Sequence, residues 1–174
     1  MLKWLQRRSA GADGEVRAAE LYDEIVAVAR RPDWYVSGGV PDTVDGRFDM
    51  VVLALSLLLV RLERDADDAR ARALSSLLIE RFVADMDGSF REIGIGDMVI
   101  GKHMGRALQA LGGRLGSYRD ALAADADAAL LRTALTRNVL RGEDVAADRL
   151  DWLELNVREE WARFSARPLS EFLG

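Results

Sequence analysis

Residues 50–60 read MVVLALSLLLV, an apolar run broken only by Ser56. Its 11 residues fall well short of the ~20 that a helix needs to cross a bilayer. Phe48, Val51, Val52, Leu55, Leu58, Leu59 and Leu62 recur at helical spacing through and beyond it. Apolar side chains cover so much of the circumference that this helix belongs at the centre of a helical protein. Immediately upstream, residues 33–46 (DWYVSGGVPDTVDG) hold Ser37, Gly38, Gly39, Pro41 and Asp45. These turn formers mark a connector, with Asp42 or Thr43 as the N-cap of the central helix.

Proline occurs only at Pro32, Pro41 and Pro168, so Asp42 to Arg167 is free of it, as a succession of helices requires. Alternating β-branched and aromatic runs, the strand signal, are missing. Leu21, Tyr22, Ile25, Val28 and Ala29 predict a first helix over 15–30, closed by Arg31-Pro32. Ala71, Leu74, Leu78 and Phe82 predict a third helix ending near Asp87-Gly88. A loop over 89–96 (SFREIGIG) follows, with Gly94 and Gly96 as its turn residues and Asp97 as cap of a helix running to about Leu122. Helices over 126–141 and 145–164 complete the set. The pattern predicts an all-α fold, a compact single-domain bundle of about five to seven helices over 15–174 preceded by a flexible basic segment over 1–14. No fixed-period repeat supports a solenoid.

Composition narrows the function. At 174 residues and 19.2 kDa the chain suits one domain, and 49% hydrophobic with 30% charged residues is the balance of a folded chain. The absence of cysteine excludes disulfides, thiolate zinc sites, iron–sulfur clusters and cysteine nucleophiles. A formal charge of −5 argues against DNA as a partner. The basic start, MLKWLQRR, lacks the apolar stretch of a signal peptide, and Asp13 and Glu15 follow too soon for a transit peptide, so a cytoplasmic location is expected. Leu2, Trp4 and Leu5 beside Lys3, Arg7 and Arg8 suit either contact with an anionic membrane surface or a frayed terminus.

Residues 98–119 (MVIGKHMGRALQALGGRLGSYR) contain no acid, while Lys102, Arg106, Arg114 and Arg119 contribute +4, leaving −9 on the rest. Gly101, Gly105, Gly112, Gly113 and Gly116 each cost a helix about 1 kcal/mol relative to alanine. At about 100° per residue, Ile100, Met104, Leu108, Leu111, Leu115 and Tyr118 form one stripe, the expected core face. Gly101, Gly105, Gly112 and Gly116 fall within roughly 60° of one another beside it, with Lys102 and Arg106 just beyond. Either this smooth strip receives another polypeptide, as small residues do between membrane helices, or it packs internally, or the helix breaks at Gly112-Gly113.

His103 is the only histidine and lacks ligand spacing, so no metal is expected. Neither a nucleophile elbow nor a phosphate-cradling loop is present, and no catalytic residue or cofactor is assigned. Arg91, Glu92 and Asp97 are acid–base candidates only in the weakest sense, because bracing a loop is the commoner role. Trp34, Tyr35, Trp152 and Trp161 suit a core better than a base-stacking platform.

Three blocks, GVPDTVDGRFD (39–49), FVADMDGSFREIGIGDMVIGK (82–102) and Gly113-Arg114 followed by Tyr118, resemble the ubiquinol–cytochrome c chaperones, assembly factors of the respiratory cytochrome bc1 complex. The resemblance spans about Tyr22 to Leu122. Ala54 stands where the family usually has histidine, and His103 where it has arginine. The resemblance implies an all-helical, non-enzymatic chaperone that holds newly made cytochrome b, a hydrophobic membrane-protein client, peripheral to the inner membrane and in some relatives beside the ribosome. The partner-binding residues expected from the strip and the blocks are Arg91, Glu92, Gly101, Lys102, Gly105, Arg106, Gly112, Arg114 and Tyr118. A competing expectation is a helical protein that binds a quinone, haem or lipid between its apolar helices.

Overall fold

The structure, a computed structural model, describes the backbone over residues 2–92 and 97–174 and the side chains over 13–89, 91 and 105–174. Its elements are α1 (Leu2–Ala29), α2 (Asp33–Val36), α3 (Val44–Glu63), α4 (Ala69–Glu92), α5 (Asp97–Ala121), α6 (Ala128–Asn138), α7 (Ala147–Ala166) and α8 (Leu169–Leu173). No strand occurs among the described residues. The fold is all-α, as the proline distribution and hydrophobic periodicity predict; α2 and α8 are single turns.

The helices gather into two units, each discontinuous in sequence. The first comprises residues 1–24, 62–109 and 167–174. Leu21, Tyr22, Leu74, Leu78, Phe82 and Phe172 are among its buried side chains. The Tyr22 hydroxyl donates to Asp85 Oδ2 at 2.8 Å and ties α1 to α4. Arg17 on α1 donates to the carbonyls of Phe172 (3.1 Å) and Glu171, answering the orphan acceptors at the end of α8. Arg167 pairs with Glu24 at 2.9 Å and lies 4.4 Å from the centre of the Phe172 ring.

The second unit comprises residues 25–61 and 110–166 and contains most of α3. Every α3 residue from Asp49 to Leu62 is buried, which accords with apolar side chains on all sides of this helix. Burial of each large aliphatic side chain contributes about 1.5–3 kcal/mol. Thr43, not Asp42, caps α3: its Oγ1 accepts from the Gly46 amide at 3.1 Å. Asp42 pairs instead with Arg47 at 2.7 Å on the surface. Trp34 is buried, donates from its indole to the Val28 carbonyl at 2.7 Å and meets Trp152 edge-on at 5.7 Å. α6 and α7 run antiparallel, joined by Arg132–Asp151 (2.6 Å) and by Arg158 on the Ala128 carbonyl (3.2 Å).

Two boundaries differ from the sequence reading. α1 begins at Leu2, not near Glu15; Gly11 and Gly14 weaken a helix without stopping it. α4 continues through Asp87-Gly88 to Glu92, so residues 89–92 are helix and not loop. Gly88 is not among the left-handed glycines, and Arg91 Nε reaches Asp87 Oδ2 at 2.8 Å across one turn, which favours continuation.

Candidate partner-binding surface

α5 is one unbroken helix through Gly112-Gly113. Gly105, Gly112 and Gly113 are exposed and Gly116 is half-buried. A methyl group added at any of the four would meet nothing within 4 Å. Gly105, Gly112 and Gly116 share one face, and among the described residues nothing packs against it. Arg106 is exposed beside it and has no ion pair with a described residue.

The opposite face carries Ala107, Leu111 and Tyr118, all buried, with Arg114 turned inward among them at 16% exposure. The expected core stripe is thus corrected: Leu108 is 40% exposed and Leu115 only half-buried. The reason is an ion cluster that hydrophobic spacing does not register. Asp49 on α3 is fully buried; Arg114 Nη1 donates to its Oδ1 at 2.5 Å and Arg141 Nε to its Oδ2 at 2.6 Å. Arg141 also reaches Asp45 at 3.0 Å and adopts a left-handed φ of 56° in the α6–α7 turn. Its hydrogen bond to Asp49 is the chief cause holding the Arg141 pKa above its ordinary value. The Arg114 guanidinium lies 5.7 Å from the centre of the Phe48 ring. To meet Asp49, Arg114 must face the interior, and this rotates α5 away from the orientation its leucines suggest.

Tyr118, placed by spacing on the core stripe and also counted among the partner-binding residues, is fully buried as the stripe predicts and presents nothing to a partner in this conformation. Burial raises its pKa, with Arg114 opposing. Its hydroxyl lies next to Asn138, yet neither the hydroxyl nor the Asn138 amide nitrogen completes a hydrogen bond among the described residues. Arg91 lies on the surface of α4, paired with Asp87. Glu92 ends α4, and Asp97, Gly101 and Lys102 lie on α5, but their side-chain environments fall outside the described residues, as do Gly94 and Gly96 altogether. The spacing analysis missed Asp49, Arg141 and Gly46. A carboxylate on a helix buried all round signals a hidden cation, whereas nothing in the sequence marks Arg141 as that cation.

Among the described residues no helix is long and apolar enough to cross a membrane. No curated protein sequence matches the chain. The crystal structure of the Cbp3 homolog from Brucella abortus is similar at a TM-score of 0.83 and 31% identity, covering 100% of this chain and 94% of that one. The ubiquinol-cytochrome C chaperone family model matches residues 37–174, a span that includes the Thr43 cap, Asp49 and both arginines that hold its carboxylate. By that match the chain belongs to the ubiquinol–cytochrome c chaperone family.

Proposed function

We propose that this protein is an assembly chaperone of the cytochrome bc1 complex, that its client is newly made cytochrome b, and that the open glycine face of α5 receives part of the client. The observation that carries the reading is this face, present in a member of a chaperone family although Gly105, Gly112 and Gly116 each forgo about 1 kcal/mol of helix propensity with no packing contact among the described residues to offset it. A strip without side chains lets a guest helix approach closely, and the exposed Arg106 beside it provides charge for carbonyl or carboxylate groups of the guest, a role the sequence spacing also suggests for Lys102. Binding, not bond-making, is the activity, exercised in the cytoplasm and at the membrane periphery. Tagged full-length protein recovered in mild detergent should enrich cytochrome b, and a deletion strain should lose the bc1 absorbance spectrum. Normal bc1 levels in that strain would defeat the proposal. Lys102→Glu with Arg106→Glu should weaken recovery of the client, whereas Asp125→Lys with Glu143→Lys, at exposed positions, should not. Equal effects would remove the strip from the binding surface.

A further inference from the structure

A cleft of about 340 Å³ opens in the second unit, lined by Arg30, Pro32, Tyr35, Val36, Asp42 and Arg47. Its walls are fixed by local contacts. The Tyr35 hydroxyl donates to the Ala29 carbonyl at 2.8 Å, and buried Trp34 anchors the adjoining position. The connector lies directly against the first turn of α3, where a Cβ on Gly46 would come within 2.0 Å of the Pro41 carbonyl oxygen. A cleft shaped before any ligand arrives spends little binding energy on ordering.

The lining combines charge with apolar surface. Arg30 is exposed and has no carboxylate partner among the described residues. Arg47 pairs with Asp42, but both side chains are solvated, at 63% and 57% exposure, and such surface pairs exchange readily. The three groups sum to +1 on a chain of −5. Val36 is 70% exposed and Pro32 is exposed beside the half-buried ring of Tyr35. Burial raises the Tyr35 pKa, while Arg47 and Arg30 draw it down and Asp42 opposes them, so all three charges act at its hydroxyl.

We propose that this cleft docks an extended acidic segment of a partner polypeptide, with a carboxylate held by Arg30 and Arg47 and a neighbouring apolar side chain laid on Tyr35 and Val36. Asp42 can accept a backbone N–H of the segment, and a planar bilayer cannot enter a concavity of side-chain dimensions.

The test uses the ¹⁵N-labelled full-length protein titrated with the acetylated, amidated peptide Glu-Phe-Asp-Leu-Glu. Saturable shifts should centre on residues 30–47. Arg30→Glu should weaken binding about tenfold or more, and Arg30→Lys by no more than about threefold. Val36→Asp, at an exposed position where folding is not at risk, should also weaken it. A peptide with lysine at the three acidic positions should not bind. Unaltered affinity in both Arg30→Glu and Val36→Asp, shifts confined to other residues, or no saturation by about 10 mM, weaker than ~3 kcal/mol of binding, would overturn the proposal. So would Arg30-dependent binding to phosphatidylglycerol vesicles without peptide binding.

Discussion

At Asp49 an otherwise apolar helix carries a carboxylate into the interior, and two arginines from distant parts of the chain meet it there. Removing Asp49 leaves two arginines without their acceptor, which would cost about 3–5 kcal/mol were they fully buried and less at their exposures of 16% and 40%. Asp49→Ala should therefore lower the urea midpoint sharply, whereas Asp49→Leu combined with Arg114→Met should recover much of the loss; a double variant as unstable as the single one would refute this account. Gly46 is constrained by backbone, since the nearest atoms to a new methyl belong to Pro41 and have no rotamer to yield. Gly46→Ala should destabilise by about 1–3 kcal/mol or more through overpacking. Gly88→Ala, with nothing within 4 Å of the added carbon, should stabilise by about 1 kcal/mol. Tyr118 gives the pH dependence. Burial holds its pKa above the ordinary 10.0, so the unfolded chain releases this proton first. The stability conferred by the neutral phenol is complete below about pH 10 and declines as pH rises above it. Urea midpoints measured at about pH 9 and pH 11 should fall less for Tyr118→Phe than for the wild type.

At the scale of the element, α5 presents two unlike faces. Its inner face supplies Leu111, Arg114 and Tyr118 to the interior, and its outer face supplies glycines to solvent. Gly105→Ala with Gly112→Ala should raise stability by about 1 kcal/mol per site, read as a higher urea midpoint. The same pair should reduce client recovery, because two methyl groups would hold a guest backbone away from the helix. A variant more stable and equally competent would show that the bare face has no role in binding. Helix existence was legible in the periodicity of α3, whose apolar side chains recur on all sides and are buried on all sides. Helix ends were less so: Gly88 has the composition of a stop, but the Asp87–Arg91 link across that turn favours continuation. The rotation of α5 was not legible, because apolar spacing places Leu108 inward and carries no account of a guanidinium that must reach Asp49.

For the whole molecule, the separation of an acid-free cationic stretch from the remaining acidic chain predicts client capture that is partly ionic. Recovery of cytochrome b should decline between about 0.05 and 0.3 M salt, as screening shortens the reach of exposed charges, yet persist in part because apolar contact is not screened. Complete insensitivity to salt would exclude Lys102 and Arg106 from the contact. The sequence by itself determined the helical class, the burial of α3 and the family, because helical periodicity and the short blocks 39–49 and 82–102 are local patterns that survive without coordinates. Only tertiary structure decided that Arg114 faces inward beside the spacing-predicted Tyr118, that Gly105 and Gly112 lie open, and that Arg30 and Arg47 share a cleft. Asp49 lies 65 residues from Arg114 and 92 from Arg141 along the chain; a pairing at that range depends on where the backbone carries each side chain, and residue type at either end does not encode it.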